Sequence, residues 1–104
     1  MKFLLLSRHT GGREIPEKEK EQNLKDLLEW FALLKTSTAM PVDGGKSVTS
    51  KSIEEYKGEI KGMLVFEAES IDQAVELAKK SPGLKYGWIH DVLLEMPVNS
   101  SEKT

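Results

Sequence analysis

Three short, unbroken apolar runs organise this chain: Phe3-Leu4-Leu5-Leu6, Met63-Leu64-Val65-Phe66 and Val92-Leu93-Leu94. A strand with one wet face alternates apolar and polar residues. These runs do not alternate, so each is expected to be buried on both faces. Two longer segments carry helical spacing instead. Over residues 17–35, Leu24, Leu27, Leu28, Phe31 and Leu34 fall on one stripe. Glu17, Glu19 and Glu21 suit the positive N-terminal end of that helix, and Lys35 suits the other end. Trp30 and Leu33 lie beside the stripe. That placement reads either as a helix more buried than usual or as contact with a partner subunit or ligand. A second helix starts at Ser70, with Gln73 three residues on as in a capping box. Ile71, Ala74, Val75 and Ala78 supply its stripe, the two alanines allow close approach to a sheet, and Ser81-Pro82-Gly83 ends it.

Between these elements the pattern is weaker. Residues 10–16 hold two glycines and a proline and read as a loop at the end of a buried strand. Residues 36–42 are rich in β-branched side chains, but Pro41 keeps that segment from the middle of a sheet. Asp43-Gly44-Gly45 is a turn, and residues 46–50 alternate as an exposed edge strand does. Residues 51–61 read as an irregular loop or a short helical turn around Ile53 and Tyr56. The last strand spans residues 88–96 and Pro97 stops it. The order predicts one α+β domain over residues 1–98, of the split ferredoxin-like kind, with residues 99–104 a mobile polar tail. Its antiparallel sheet has the strand order last, first, third, second, with two helices on one face. The other apolar face is left for a second copy of the chain, so a homodimer is expected.

Composition narrows the partners. The 104 residues are 31% charged and 38% hydrophobic, with a net charge of -2. That is enough for a single core, and it lacks the basic excess that nucleic acid or an anionic membrane surface calls for. The start, Met1-Lys2 and then Phe3 to Leu6, mimics a signal peptide, but its four apolar residues fall short of the about seven that a signal core needs. No stretch approaches the roughly 18 apolar residues of a membrane span. Cysteine is absent, which removes thiol nucleophiles and thiolate metal sites and fits a reducing cytoplasm.

The candidate chemistry follows from the topology. If the first and last strands are antiparallel neighbours, Ser7-Arg8-His9 lies beside Trp88-Ile89-His90-Asp91. Both histidines of the chain then reach one end of the sheet, with Arg8 and Asp91 close by. An imidazole that titrates near neutrality and a carboxylate that orients it are the parts of general acid-base chemistry. His9, His90 and Asp91 are therefore the candidate catalytic residues. Strand parity puts His90 and Asp91 on opposite faces, so His9 is expected to partner one of them. Arg8 is the candidate contact for an anionic ligand group. Trp88, with Tyr86, suits stacking on a flat ligand or packing under the loop. The competing reading is two strand-end histidines bonded to backbone or water. Two histidines and an aspartate also reach the ligand count of a metal site, but no ligand spacing supports one; neither metal nor cofactor is expected. Gly11-Gly12 and Gly44-Gly45 lack the context of a phosphate loop, and no serine sits in a nucleophile elbow.

The opening MKFLLLSRH, the segment IKGMLVFEAESIDQAVELAKKSPG and the closing LLEMPV together resemble the YCII-related family, which includes the proteins named for a DGPF motif. The resemblance implies a homodimeric α+β barrel and enzymes built around a His-Asp pair. The chain departs from it in two places: the DGPF region reads KSVTSKSIEEYKGE, and Met96 stands where the family has an arginine. Two functions remain in view. One is an enzyme on a small organic molecule, moving protons through His9 or His90 in a cleft of the homodimer. The other is a non-catalytic dimeric ligand-binding or regulatory module.

Overall fold

The computed structural model describes residues 1–11 and 14–96; the expected tail at 99–104 lies outside the described residues. In chain order the elements are β1 (Lys2–Arg8), α1 (Lys20–Leu34), β2 (Thr38–Pro41), β3 (Lys46–Val48), β4 (Ile53–Glu55), β5 (Ile60–Glu67), α2 (Ile71–Ala78) and β6 (Ile89–Leu94). Short 3-10 turns at Glu17–Glu19 and Leu84–Tyr86 precede α1 and β6. Four strands form one antiparallel sheet in the order β2-β5-β1-β6. Of the three strands with doubly apolar runs, β1 and β5 take its centre, while β6 lies at the edge and leaves Leu93 and Leu94 46% and 51% exposed, so its run is not buried on both faces of this chain. Pro41, which cannot donate to a ladder, falls on the edge strand β2 as its chemistry requires.

Alternate residues of the strands face the helices. Phe3 and Leu5 of β1 and Leu64 and Phe66 of β5 pack against Trp30 and Leu34 of α1 and Ala74 and Ala78 of α2, so both helices cover the same face. This is the expected α+β ferredoxin-like arrangement. The start of α2 also forms as read: Ser70 Oγ accepts from the Gln73 N–H at 3.0 Å. The Gln73 side chain reaches one residue further back than a capping box has it, accepting from the Glu69 N–H.

Two local readings are corrected. Residues 53–55 are a strand and not a loop or helical turn: β4 pairs with β3 in a two-stranded hairpin joined by the Lys46–Glu55 ion pair. Ile53 and Val48 are each at least 70% exposed there, so backbone pairing holds the hairpin without a hydrophobic period to announce it. The stripe of α1 is also rotated. Trp30 is buried with Leu34, and Leu27 and Phe31 pack beside them, while Leu24 and Leu28 are exposed at 55% and 57%. Leu33 is exposed too.

Candidate functional site

The cleft arises from a change in side-chain size along the sheet. Pairing places the inner-facing residues in rows across the strands. Phe3 and Phe66 stack in one row with ring centroids 5.8 Å apart, and Leu5, Leu64 and Val92 fill the next. The third row is Pro41, Gly62, Ser7 and His90. Small and polar side chains there cannot fill the space beneath α1, and a cavity of about 340 Å3 opens. Trp30, Phe31 and Leu27 of α1, Trp88, and the Ser81-Pro82-Gly83 turn enclose it. That size and aromatic lining are typical of a small-molecule site at the compact end of the range. A wider groove on the far side of Trp30, lined by Asp26, Glu29, Lys80 and Lys85, is shallow and open to solvent.

His90 forms the polar floor. Its Nδ1 lies 3.0 Å from Ser7 Oγ and its Nε2 lies 2.8 Å from Ser81 Oγ. The ring stacks on Trp30, centroids 5.4 Å apart. Trp30 is itself pinned by its indole N–H, which donates to the Leu77 carbonyl at 2.9 Å. Burial holds the His90 pKa below the ordinary imidazole value, and the Asp91 charge opposes that shift. The neutral ring donates from one nitrogen and accepts at the other, so hydroxyl, imidazole and hydroxyl form a chain along which a proton can move.

The shift has a consequence for stability. A folded pKa below the unfolded value means the unfolded chain binds the proton more readily, so stability rises with pH. The His90 contribution is complete above the ordinary value of 6.5 and is lost as pH falls through the folded pKa. Denaturant midpoints at pH 7.5 and 5.5 should show the acid sample weaker, with a smaller gap in His90→Gln. Equal gaps in the two proteins would assign the effect elsewhere.

The other predicted residues separate onto two faces. His9 donates its Nε2–H to the Tyr86 carbonyl at 3.2 Å and packs its ring 4.7 Å from Trp88, forming the wall behind that indole. No hydrogen bond joins His9 to His90 or Asp91 among the described residues. Asp91 faces away from the helices, as parity requires. There Arg8 grips it with two bonds, Nε to Oδ2 at 2.6 Å and Nη2 to Oδ1 at 3.2 Å, and also reaches Glu59 at 2.9 Å. The Arg8 bond is the main reason the Asp91 carboxyl titrates below its usual range. Arg8 and Asp91 do not line the cavity; Trp88 and His90 do. The charged group on its wall is Lys61, near Asp43.

Sequence reasoning missed the partners of His90. Ser7 carried a usable signal, since it shares strand parity with Phe3 and Leu5 and falls opposite His90. Ser81 looked only like a helix stop. Gly83 has a role beyond that stop: a Cβ there would come within 3.2 Å of Trp88 Cδ1, so its absence lets the indole lie against the turn. No group of three His, Asp or Glu side chains converges as a metal site would among the described residues. Nor is any described helix long and apolar enough to cross a membrane.

The sequence profile of the YCII-related domain matches residues 1–95. The chain belongs to the YCII-related domain family. No curated protein matches it. Among solved structures it is similar to 5-chloro-2-hydroxyhydroquinone dehydrochlorinase (TftG) from Burkholderia phenoliruptrix AC1100, in complex with 2,5-dihydroxybenzoquinone. The TM-score is 0.59 at 21% identity, with 97% of this chain and 98% of the other covered, which establishes a shared fold. Within this YCII-related domain the segment standing in place of DGPF builds the β3–β4 hairpin, and none of its residues lines the cavity.

Proposed function

We propose that this YCII-related domain is a homodimeric enzyme acting on a small, flat, largely apolar organic molecule, with His90 as the proton carrier. One observation carries the reading. A neutral imidazole lies at the floor of an aromatic cavity, held between two hydroxyls and the face of an indole. Aromatic walls favour a ring by stacking, and the unprotonated ring is the form that accepts a proton at neutral pH. Ser7 and Ser81 orient it and can relay the proton, Trp30 and Trp88 hold the ring, and His9 positions Trp88. A neighbour of the same fold binds 2,5-dihydroxybenzoquinone, which adds support of a general kind. The non-catalytic alternative has an observation of its own: both nitrogens of His90 are already occupied by protein hydroxyls.

The test uses a panel of substituted phenols and quinones, following turnover by proton exchange at ring carbons in deuterated buffer. Exchange on at least one compound should depend on pH with an acid limb set by His90 and fall about a hundredfold in His90→Gln, the lower end of what general acid-base catalysis contributes. Binding with no exchange in either protein would favour the alternative.

Dimerisation is proposed through the sheet face away from the helices. Leu4, Leu6, Met63 and Val65 are only half buried there, and Met40, Leu93 and Ile89 are 40–52% exposed. A contiguous face of that kind is larger than monomers usually present to water. Sedimentation at micromolar concentration should give twice the 11.7 kDa chain mass, and Leu93→Glu should give the single mass. A wild-type monomer would sink the dimer.

A further inference from the structure

The hydroxyls on either side of His90 are not equivalent. Ser81 is 8% exposed, and its Oγ already accepts from the Gly83 N–H at 3.2 Å. A hydroxyl has one proton to give and room for two donors. A proton on His90 Nε2 would fill the second place and leave the Ser81 proton buried without an acceptor, which destabilises the fold. A proton on Nδ1 leaves nothing unpaired at that turn: Ser81 donates to Nε2 and accepts from Gly83. The imidazole then donates from Nδ1 to Ser7 Oγ, and His90 is the one hydrogen-bond partner of that hydroxyl among the described residues. The proton of Ser7 is left over. Of the two serines Ser7 is the more exposed, and it lies in the inner-facing row that lines the cavity. Gly62, its neighbour on β5, carries no side chain, so on that side the hydroxyl borders the cavity.

Resting on the cleft reading above, we propose that the Ser7 hydroxyl binds the ligand, and that the ligand is a neutral ring bearing a carbonyl oxygen, a quinone or an aryl ketone. A carbonyl oxygen offers only lone pairs, which match a hydroxyl whose acceptor side is already taken by His90. It carries no full charge to desolvate among aromatic walls. Both nitrogens of His90 are occupied by the serines, so the ring meets the imidazole through the Ser7 proton and not directly. The bond turns the carbonyl toward β1. A hydrocarbon of the same shape leaves the Ser7 proton unpaired in a desolvated contact, and the difference appears as affinity.

The experiment is run at pH 7.5, where the His90 ring is neutral. Long-range proton–nitrogen NMR of the free wild-type chain, which needs no variant, should show His90 Nδ1 protonated and Nε2 bare. Titration of the Trp88 indole N–H then compares acetophenone with α-methylstyrene, which has a CH2 group in place of the oxygen. The ratio of ketone to hydrocarbon affinity should fall about tenfold in Ser7→Ala, as the loss of one neutral hydrogen bond gives. In Ser7→Thr, which keeps the hydroxyl, the ratio should stay within about twofold of the wild type. A proton on Nε2, a ratio unchanged in Ser7→Ala, or an equal fall in Ser7→Thr overturns the role of Ser7 and leaves the cleft standing. Binding of neither compound to the wild type overturns both readings.

Discussion

Replacing Gly62 with leucine is expected to close the cleft while leaving the protein folded. Gly62 sits in the inner-facing row between Pro41 and Ser7, and its backbone does not need glycine. A Cβ there would meet the Met40 carbonyl at 3.5 Å and Pro41 Cα at 3.8 Å, ordinary contacts. The rest of a leucine side chain enters the cavity on the Ser7 side, where a ring would bind. Affinity for a small phenol such as 4-ethylphenol should fall about a hundredfold, equivalent to about 2.8 kcal/mol at 1.4 kcal/mol per tenfold. Stability should hold or rise by about 0.5–1 kcal/mol, because glycine in a strand gives up more backbone freedom on folding than other residues. Titration and urea unfolding of the same sample decide it. Unimpaired binding would mean that the ligand does not enter this cavity. Tight binding lost together with the fold would mean that the third row is not the slack region the packing shows.

The largest stability effect should come from Trp30→Ala. Trp30 is 4% exposed, stacks on His90, meets the Phe31 ring at a tilt, and donates to the Leu77 carbonyl. Removing a buried aromatic of this kind costs about 3–5 kcal/mol, out of the roughly 5–15 kcal/mol that holds a domain together. Leu28→Ala should change stability by less than about 0.5 kcal/mol, as exposed sites do. Urea midpoints of the two variants therefore test the rotation of α1 directly. A larger loss at Leu28 than at Trp30 would restore the stripe that the spacing of leucines alone suggests.

That contrast shows where sequence stops being informative. Residues 24–34 carry seven large apolar side chains around most of a helix, so more than one stripe satisfies the helical period. Which stripe turns inward depends on what the sheet offers beneath it. Here the slack row at Gly62 and Ser7 accepts the bulk of Trp30 and Phe31. In the β3–β4 hairpin only β4 escaped, since residues 46–50 alternate and read as an exposed strand. Residues 53–55 neither bury side chains nor alternate, so no strand signal marks them. The site divides the same way. Placing His90, Trp88, Arg8 and Asp91 at one end of the sheet needed only strand order and parity. Their partition between two faces followed from parity as well, but the partners did not. Arg8 meets Asp91 because the side chains at positions 8 and 91 both project to the open face, while His9 finds a backbone carbonyl in the loop before β6.

By itself the sequence determined the α+β order, the central places of β1 and β5, the edge position of Pro41 and the cap of α2. Each rests on a local or periodic property or on the order of elements: the split ferredoxin-like order, a missing N–H, a hydroxyl three residues before a free N–H. Tertiary structure alone decided the phase of α1, the cavity and the serines that hold His90. These depend on the difference in volume between facing layers and on which small polar groups meet across long stretches of chain. Ser7 and His90, 83 residues apart, leave no trace of their pairing in local composition.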